Sequence, residues 1–435
     1  MHRRPTLNIF RWTAILSCAG MSSAALAQDA DILEDFRIDP PRSTPGGFVT
    51  VRERPQPLYD PVPMRIGGIE LISRATVQAL YDSNIFAVSE ATGDAALRAI
   101  ASADATRVTG GTTLRAGVLL DRRQYLGHSG QSTTDYAVGT SVRHAIRRDS
   151  LVVAGIRAGR ETESLTDPSA PLNSRRPSQY DYLSGSLGAG RAFGRLSIAG
   201  RAALDDRRYK DGRDAFGNPI DQCFRSRLLA TGELAAEYEL AADRSIFVQA
   251  SANRRDYRDR RSPEPVRDSS GYRVEAGANF MLTPLIRSRI GAGYFRQDFE
   301  DPLYPTVSGL AVRGQFDYAV TPLVTLSLTG SRGVEESSTL GAGAFVATRV
   351  GLRADYELLR NLILSASSSY EKDVFQGIAR RYSIKRGTLE AHYRLSPRYR
   401  LDAEYEVRDQ DSVGAFPGRD FVRHQVTVGI TIQGI

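Results

Sequence analysis

YRLDAEYEVR, residues 399–408, alternates without a fault: Tyr399, Leu401, Ala403, Tyr405 and Val407 take turns with Arg400, Asp402, Glu404, Glu406 and Arg408. Successive side chains of a β-strand point to opposite faces, so this stretch offers one face to an apolar phase and the other to water. A slip of one residue would carry five charges into the apolar phase, which fixes the register. The alternation returns at 310–320, where Leu310, Val312, Gly314, Phe316, Tyr318 and Val320 oppose Ala311, Arg313, Gln315, Asp317 and Ala319. At 350–358 it puts Arg353, Asp355 and Glu357 on the wet face.

From residue 66 onward the chain repeats one unit, an alternating run followed by a break. The runs exceed the five or six residues usual for a strand of a soluble protein and match a tilted membrane crossing with a rim. Tight breaks lie at Arg147-Arg148-Asp149-Ser150, Ala192-Phe193-Gly194, Ala241-Ala242-Asp243-Arg244, Thr283-Pro284-Leu285, Thr321-Pro322-Leu323, Leu359-Arg360-Asn361 and Ser396-Pro397-Arg398. These carry the Gly, Pro, Asp and Asn of turns. Longer polar connections fall near 164–179, 209–225, 258–270, 298–307, 334–342, 373–380 and 409–420. Outer-membrane barrels have short periplasmic turns and long outer loops, so the two classes belong to the two sides.

The last run, 422–433, follows a long loop and must descend to the periplasm. An N-terminus on that side then requires an even number of strands. The count is even only if 97–108 is a strand, with Leu97, Ala99, Ala101, Ala103 and Ala105 alternating with Arg98, Ile100, Ser102, Asp104 and Thr106 before a turn at Thr109-Gly110-Gly111-Thr112. The expected fold is all-β: a transmembrane antiparallel up-and-down barrel of about eighteen strands, with sixteen as the runner-up. A soluble sandwich or propeller fits less well, because the runs are long and no blade-sized repeat is present. So wide a barrel is not filled by its own side chains, and with no inserted plug domain the interior is expected to hold water.

The N-terminus speaks to compartment. His2, Arg3, Arg4 and Arg11 accompany an uncharged stretch, 12–27, that ends Ala24-Ala25-Leu26-Ala27. This is the layout of a signal peptide over 1–27, cleaved before Gln28. Cys18 is poorly placed for lipidation, with Leu16 two positions before it. Cleavage leaves Cys223 as the single cysteine, so no intrachain disulfide forms. It also leaves 54 basic against 50 acidic residues, spread along the chain without the clustered footprint of a nucleic-acid binder. No later uncharged stretch approaches the ~20 apolar residues of a transmembrane helix. Residues 28–65 are acidic and then proline-rich, with Pro40, Pro41, Pro45, Pro55, Pro57, Pro61 and Pro63. They read as an extended periplasmic arm, with the barrel over 66–435.

Catalytic groups are sparse. Beyond His2 there are His128 in a loop, His144 and His424 towards strand ends, and His392 between Glu390 and Arg394 on a wet face. None has the short spacing of a zinc site, and His392 reads as part of a charge network rather than as a base. Gly188-Ala189-Gly190-Arg191-Ala192-Phe193-Gly194 has its third glycine displaced from a dinucleotide loop and no strand-to-helix step after it. Asp211-Gly212-Arg213-Asp214 with Asp221 gathers loop carboxylates, yet Arg213 stands at a would-be ligand position and the calcium-loop spacing fails. No catalytic residue, cofactor or metal is expected, and the protein does not read as an enzyme.

What the wet faces supply is a lining: Arg201, Asp205, Glu233, Glu237, Arg273, Glu275, Arg313, Asp317, Arg353, Asp355, Glu357, Glu390, Arg394, Arg400, Asp402, Glu404 and Glu406. Interleaved guanidinium and carboxylate groups hold water without a strong single-sign field, which suits hydrated solutes. Tyr318, Tyr356, Tyr393 and Tyr399 lie near tight turns and are expected to form an aromatic girdle at the periplasmic rim.

Pro57-Leu58-Tyr59-Asp60-Pro61-Val62-Pro63-Met64-Arg65-Ile66-Gly67-Gly68, followed by the strand end Leu80-Tyr81-Asp82-Ser83-Asn84-Ile85-Phe86, resembles the outer-membrane barrel family called beta-barrel porin type 2. The resemblance covers nearly all of the chain after the signal segment. It implies a simple barrel of proteobacterial outer membranes, often encoded among exopolysaccharide genes, with no catalytic residues to carry over. Its implied partners are outer-membrane lipid, the barrel-assembly machinery, and polysaccharide with periplasmic export components within reach of the arm. The expected function is a porin-like channel for polysaccharide or other hydrated solutes. A general diffusion porin and a structural or adhesive barrel are the alternatives. One departure is the C-terminus, Thr431-Ile432-Gln433-Gly434-Ile435, which lacks the usual terminal aromatic residue, although Val426, Val428, Ile430 and Ile432 keep the alternation.

Overall fold

The computed structural model describes residues 49–214, 216–258, 265–337, 339 and 341–434; the expected signal peptide and residues 28–48 of the arm lie outside them. Eighteen long strands close into one antiparallel barrel. In chain order they are β1 Ile69–Asp82, β2 Asp94–Thr109, β3 Thr112–Tyr125, β4 Thr133–Arg147, β5 Ser150–Glu163 and β6 Ser178–Phe193. Then follow β7 Leu196–Tyr209, β8 Arg227–Ala241, β9 Arg244–Tyr257, β10 Ser269–Thr283, β11 Ile286–Phe299 and β12 Val307–Thr321. The last are β13 Val324–Glu336, β14 Ala344–Leu359, β15 Leu362–Phe375, β16 Arg381–Arg394, β17 Tyr399–Val413 and β18 Phe421–Gln433. Each strand pairs with its chain neighbours, and β1 pairs with β18 from Arg74↔Gln433 to Asp82↔Gln425, so no long edge is left open. The run that decided parity is present as β2. No helix among the described residues is long and apolar enough to cross a membrane.

Tight turns and long loops alternate strictly along the chain. Gly110 and Gly194 sit in tight turns with φ of 58° and 63°, a region that costs a Cβ-bearing residue and not glycine. The Thr-Pro-Leu turns at 283 and 321 are closed by the threonine hydroxyl, which accepts from the amide of Leu285 and of Leu323 at 3.2 Å. Proline lacks a donor and tolerates the corner between them.

The two faces of the wall differ in kind. On β18, Val422, Val426, Val428, Ile430 and Ile432 are exposed on the outside, while Phe421, Arg423, Thr431 and Gln433 are buried within. Exposed aliphatic side chains recur on the outside of strand after strand. Water does not tolerate so extensive an apolar belt, and lipid requires it. Beside the tight turns, Tyr356 and Tyr399 are exposed on the outer face, and Tyr318 and Tyr393 are half-buried on it. Towards the loops the outer face turns polar, with Lys385 Nζ 2.9 Å from Asp409 and Arg296 Nε 2.8 Å from Asp298.

One expectation, that of an extended arm, changes. The described part of the arm, 49–63, does not extend away but turns into the barrel mouth on the turn side. On the loop side, connection 164–177 folds across the opening. Both are ordinary chain segments, not an inserted domain.

Candidate functional site: the barrel interior

The inner faces of β14, β16, β17, β18 and β1 carry one hydrogen-bonded belt. Arg353 donates from Nε to Asp355 Oδ1 (2.9 Å) and from Nη1 and Nη2 to the two oxygens of Glu390 (3.1 and 2.8 Å). His392 engages Glu390 through Nε2 (3.2 Å) and Asp402 through Nδ1 (2.7 Å); the register puts Asp402 directly opposite it. Asp402 also accepts from Arg400 Nε (2.9 Å) and Thr431 Oγ1 (3.4 Å), and Thr431 meets Thr76 at 2.9 Å across the β18–β1 seam. Both nitrogens of His392 are held by carboxylates, which ties the ring into the network.

The remaining lining residues fall into separate groups on the same inner face. Asp317 accepts from Arg287 Nη2 (3.0 Å), Gln315 Nε2 (2.8 Å) and Ser327 Oγ (2.7 Å). Arg313 stands opposite Ser331 and Gly291. Arg201 faces Glu233 at 3.9 Å, Asp205 takes Arg207 at 2.6 Å, and Arg273 reaches Glu275 at 2.7 Å. Glu237 accepts from Ser245 (2.5 Å) and Asn279 (2.8 Å). Glu404 lies opposite Glu390, like charge beside like, and Glu406 accepts from Arg423 at 2.5 Å. The structure thus brings Arg353, Asp355, Arg400 and Asp402 into the belt and leaves Arg313, Asp317, Glu404 and Glu406 outside it.

Glu357 belongs to something sequence reasoning missed, a latch made by residues 49–63. Val51 is buried and donates its amide to Thr325 Oγ1 (3.1 Å). Arg54 reaches Glu357 Oε2 through Nη1 and the carbonyl of Pro322 through Nη2, both at 2.5 Å. Glu53 meets Arg287 (3.3 Å), and Asp60 meets Arg394 (3.1 Å). A turn between Gln56 and Asp60, closed by Gln56 N–H to Asp60 Oδ2 (2.8 Å), shapes the segment. Burial, then the charge of Arg353, holds the Arg52 guanidinium below its usual range, with Asp355 and Glu390 opposing. The latch therefore crosses from β11–β14 to β16. It ends in a short strand, Met64–Ile66, that folds back on Ile69, Glu70 and Leu71 of β1. The signal available in sequence was the charged triplet Arg52-Glu53-Arg54 ahead of the prolines.

Loop 164–177 reaches inward at the other end from its root between β5 and β6. Arg408 of β17 donates to the carbonyl of Thr166 (2.5 Å) and to its hydroxyl (3.3 Å). Arg419, in the loop before β18, donates to the carbonyls of Pro171, Leu172 and Ser174 at 2.7, 3.2 and 2.8 Å. Ser169 reaches the carbonyl of Glu336 on β13 (3.1 Å), and Leu165 packs with Ala87 and Phe421.

Asp167 in this loop makes docking sensitive to pH. Burial raises its carboxyl to about 7, helped by Glu163 and opposed by the Ser169 amide, Arg225 and Arg408. A carboxyl raised in the docked state favours docking fully below its undocked value of ~3.9, and that contribution is lost as pH rises through about 7. Intrinsic-rate-corrected amide exchange across 164–177 is expected to be faster at about pH 8 than at about pH 6, and Asp167→Asn to remove the difference. A wild-type loop indifferent to pH would contradict this.

Of the loop carboxylates, Asp214 closes a turn of its own, while Asp211 and Asp221 come together beside Cys223. Asp214 accepts from the amides of Phe216 and Asn218 at 2.8 Å. Asp211, Asp221 and Cys223 have donor atoms within 4.8 Å of one another, exposed or half-exposed, and Asp221 is already taken by the Cys223 amide at 2.8 Å. His128 bonds Asp94, and His144 bonds Thr112.

Among curated proteins none shows significant sequence similarity to the chain. Among solved structures it is similar to OccK2 (OpdF) of Pseudomonas aeruginosa in complex with glucuronate, at 12% identity and a TM-score of 0.48, covering 84% of this chain and 98% of that one. It is similar to Acinetobacter baumannii OccAB3 at 13% identity and a TM-score of 0.45, over 83% and 99% of the two chains. To the siderophore receptor PirA of Pseudomonas aeruginosa it is similar at 10% identity and a TM-score of 0.44, over 83% and 80%. The sequence profile of the family described as "Putative beta-barrel porin 2" matches residues 56–434, from within the latch through the last strand, and the chain belongs to that family.

Proposed function

We propose that the protein is a non-enzymatic channel of the Gram-negative outer membrane, delivered by its signal peptide and passing hydrated solutes, polysaccharide among them, through the barrel interior. The observation that carries this reading is the lining: charged and hydroxyl side chains of both signs, hydrogen-bonded around the inner wall from β14 to β1. A structural or adhesive barrel without transport has no need of a polar interior. Nearly balanced charge suits neutral or weakly charged hydrated cargo. The family resemblance, with its exopolysaccharide genes, supports a polymer as that cargo. The latch faces the periplasm in this reading, where export components would meet it, while lipid and the assembly machinery meet the outer wall.

Deleting the gene and measuring secreted polymer and small-solute uptake tests the cargo. Loss of polymer, restored by the wild-type chain, is the expected result. Unchanged polymer with reduced uptake of small solutes would contradict export and leave a diffusion porin.

A further inference from the structure

Three arginines stand in one row across the inner wall under loop 164–177. Arg386 of β16 is the direct cross-strand partner of Arg408 of β17, and Arg408 of Arg423 of β18. Like charges directly opposite one another destabilise a sheet, so the row needs a reason. Arg423 meets Glu406 (2.5 Å) and Asp82 (3.7 Å), and Arg386 Nε lies 3.6 Å from Glu406. Arg408 hydrogen-bonds neutral groups only, the carbonyl and hydroxyl of Thr166 and Gln410 Oε1 at 2.9 Å, with the Phe421 ring centroid 5.8 Å away and the carboxylates of Glu371 and Asp167 acting on it without a hydrogen bond. It is nonetheless 5% exposed, and the Nε–H groups of Arg386, Arg408 and Arg423 are all buried without a hydrogen-bond acceptor. A buried guanidinium with no carboxylate in hydrogen-bond reach is costly, and three neighbouring guanidinium groups, each with an Nε–H that makes no hydrogen bond, can take an oxyanion.

We propose that Arg386, Arg408 and Arg423 form an oxyanion-binding site, for the carboxylate or phosphate of a solute entering the lumen, and that the carbonyl and hydroxyl of Thr166 occupy part of it until that anion arrives. An anion reaching Arg408 takes the place of Thr166, releases loop 164–177 from β17, and gives the guanidinium a charged hydrogen-bond acceptor. Entry of an anionic solute and release of the loop's Thr166 from β17 are then one event, with the Arg419 contacts left to hold the rest of the loop. The inference rests on the channel reading for its purpose, but the site is testable without it.

Folded protein in detergent is titrated with inorganic phosphate and, separately, with trigalacturonate, and binding is read by calorimetry. Binding of either probe, weakened about tenfold or more by Arg408→Gln and less by Arg408→Lys, is the expected result, a loss of about 1.4 kcal/mol per tenfold. Arg360→Gln, at an exposed turn on the far side, should leave binding unchanged. Phosphate binding with trigalacturonate excluded supports a free-ion site; tighter binding of trigalacturonate supports a polymer-borne carboxylate. Amide exchange at 165–170 should rise when the probe binds. Each variant's heat-dependent gel mobility reports whether it folded. No binding of either probe, or equal binding by folded wild type and Arg408→Gln, overturns the site. Ion conduction that persists in that case leaves the channel reading standing, whereas probe binding without any conduction leaves the site standing and removes the channel.

Discussion

Ala403→Arg is expected to prevent assembly of the barrel, while Glu404→Arg, one residue along, leaves it folded. Ala403 lies on the outer face between Val428 and Ala391, in the middle of the apolar run Leu401, Ala403, Tyr405. An arginine there meets hydrocarbon, at a cost of about 2–4 kcal/mol near the bilayer midplane. Glu404 points inward, opposite Glu390 and Thr427, so an arginine at that position replaces a like-charge pair with an opposite one. The fraction of protein showing folded, heat-modifiable gel mobility after refolding into lipid measures the difference. Equal losses, or the larger loss at Glu404, would refute the facing of the wall.

Removal of residues 28–60 is expected to admit hydrophilic solutes that the intact protein excludes. The latch is held by Arg54 on Glu357, Glu53 on Arg287 and Asp60 on Arg394, and Glu357 is only 1% exposed while paired. These contacts are polar and few. They resemble the separable side of an interface more than a core, in which apolar burial supplies the holding energy. Swelling of liposomes in sugars of increasing size reads the change: the truncated chain should admit larger sugars at a severalfold higher rate. Arg54→Ala should move the cut-off in the same direction by a smaller step, because two further ion pairs remain. An unchanged size limit in the truncated chain would show that the latch does not obstruct the path.

Much of the wall was legible in the sequence because the code for it is local. Tyr399 to Arg408 states its two faces within ten residues, and parity demanded the strand found at Asp94–Thr109. The turn at Thr109-Gly110-Gly111-Thr112 announced itself through residues that tolerate a positive φ. What the interior does with its charges was less legible, because the partners are remote: Arg54 meets Glu357 and Arg408 meets Thr166 across 303 and 242 positions. Proline content says that 49–63 is stiff, not whether it lies outside the barrel or in its mouth. The arginine row was invisible for a related reason. Arg386, Arg408 and Arg423 become neighbours only once the register of three strands is known.

The central claim is an aqueous path through the barrel with its turn-side mouth governed by residues 49–63. Single-channel recording in planar bilayers, comparing the intact chain with the chain lacking residues 28–60, tests it most directly. Discrete current steps that grow when the segment is removed are the predicted result. Folded protein of both kinds, inserted in the bilayer and carrying no current, would contradict it.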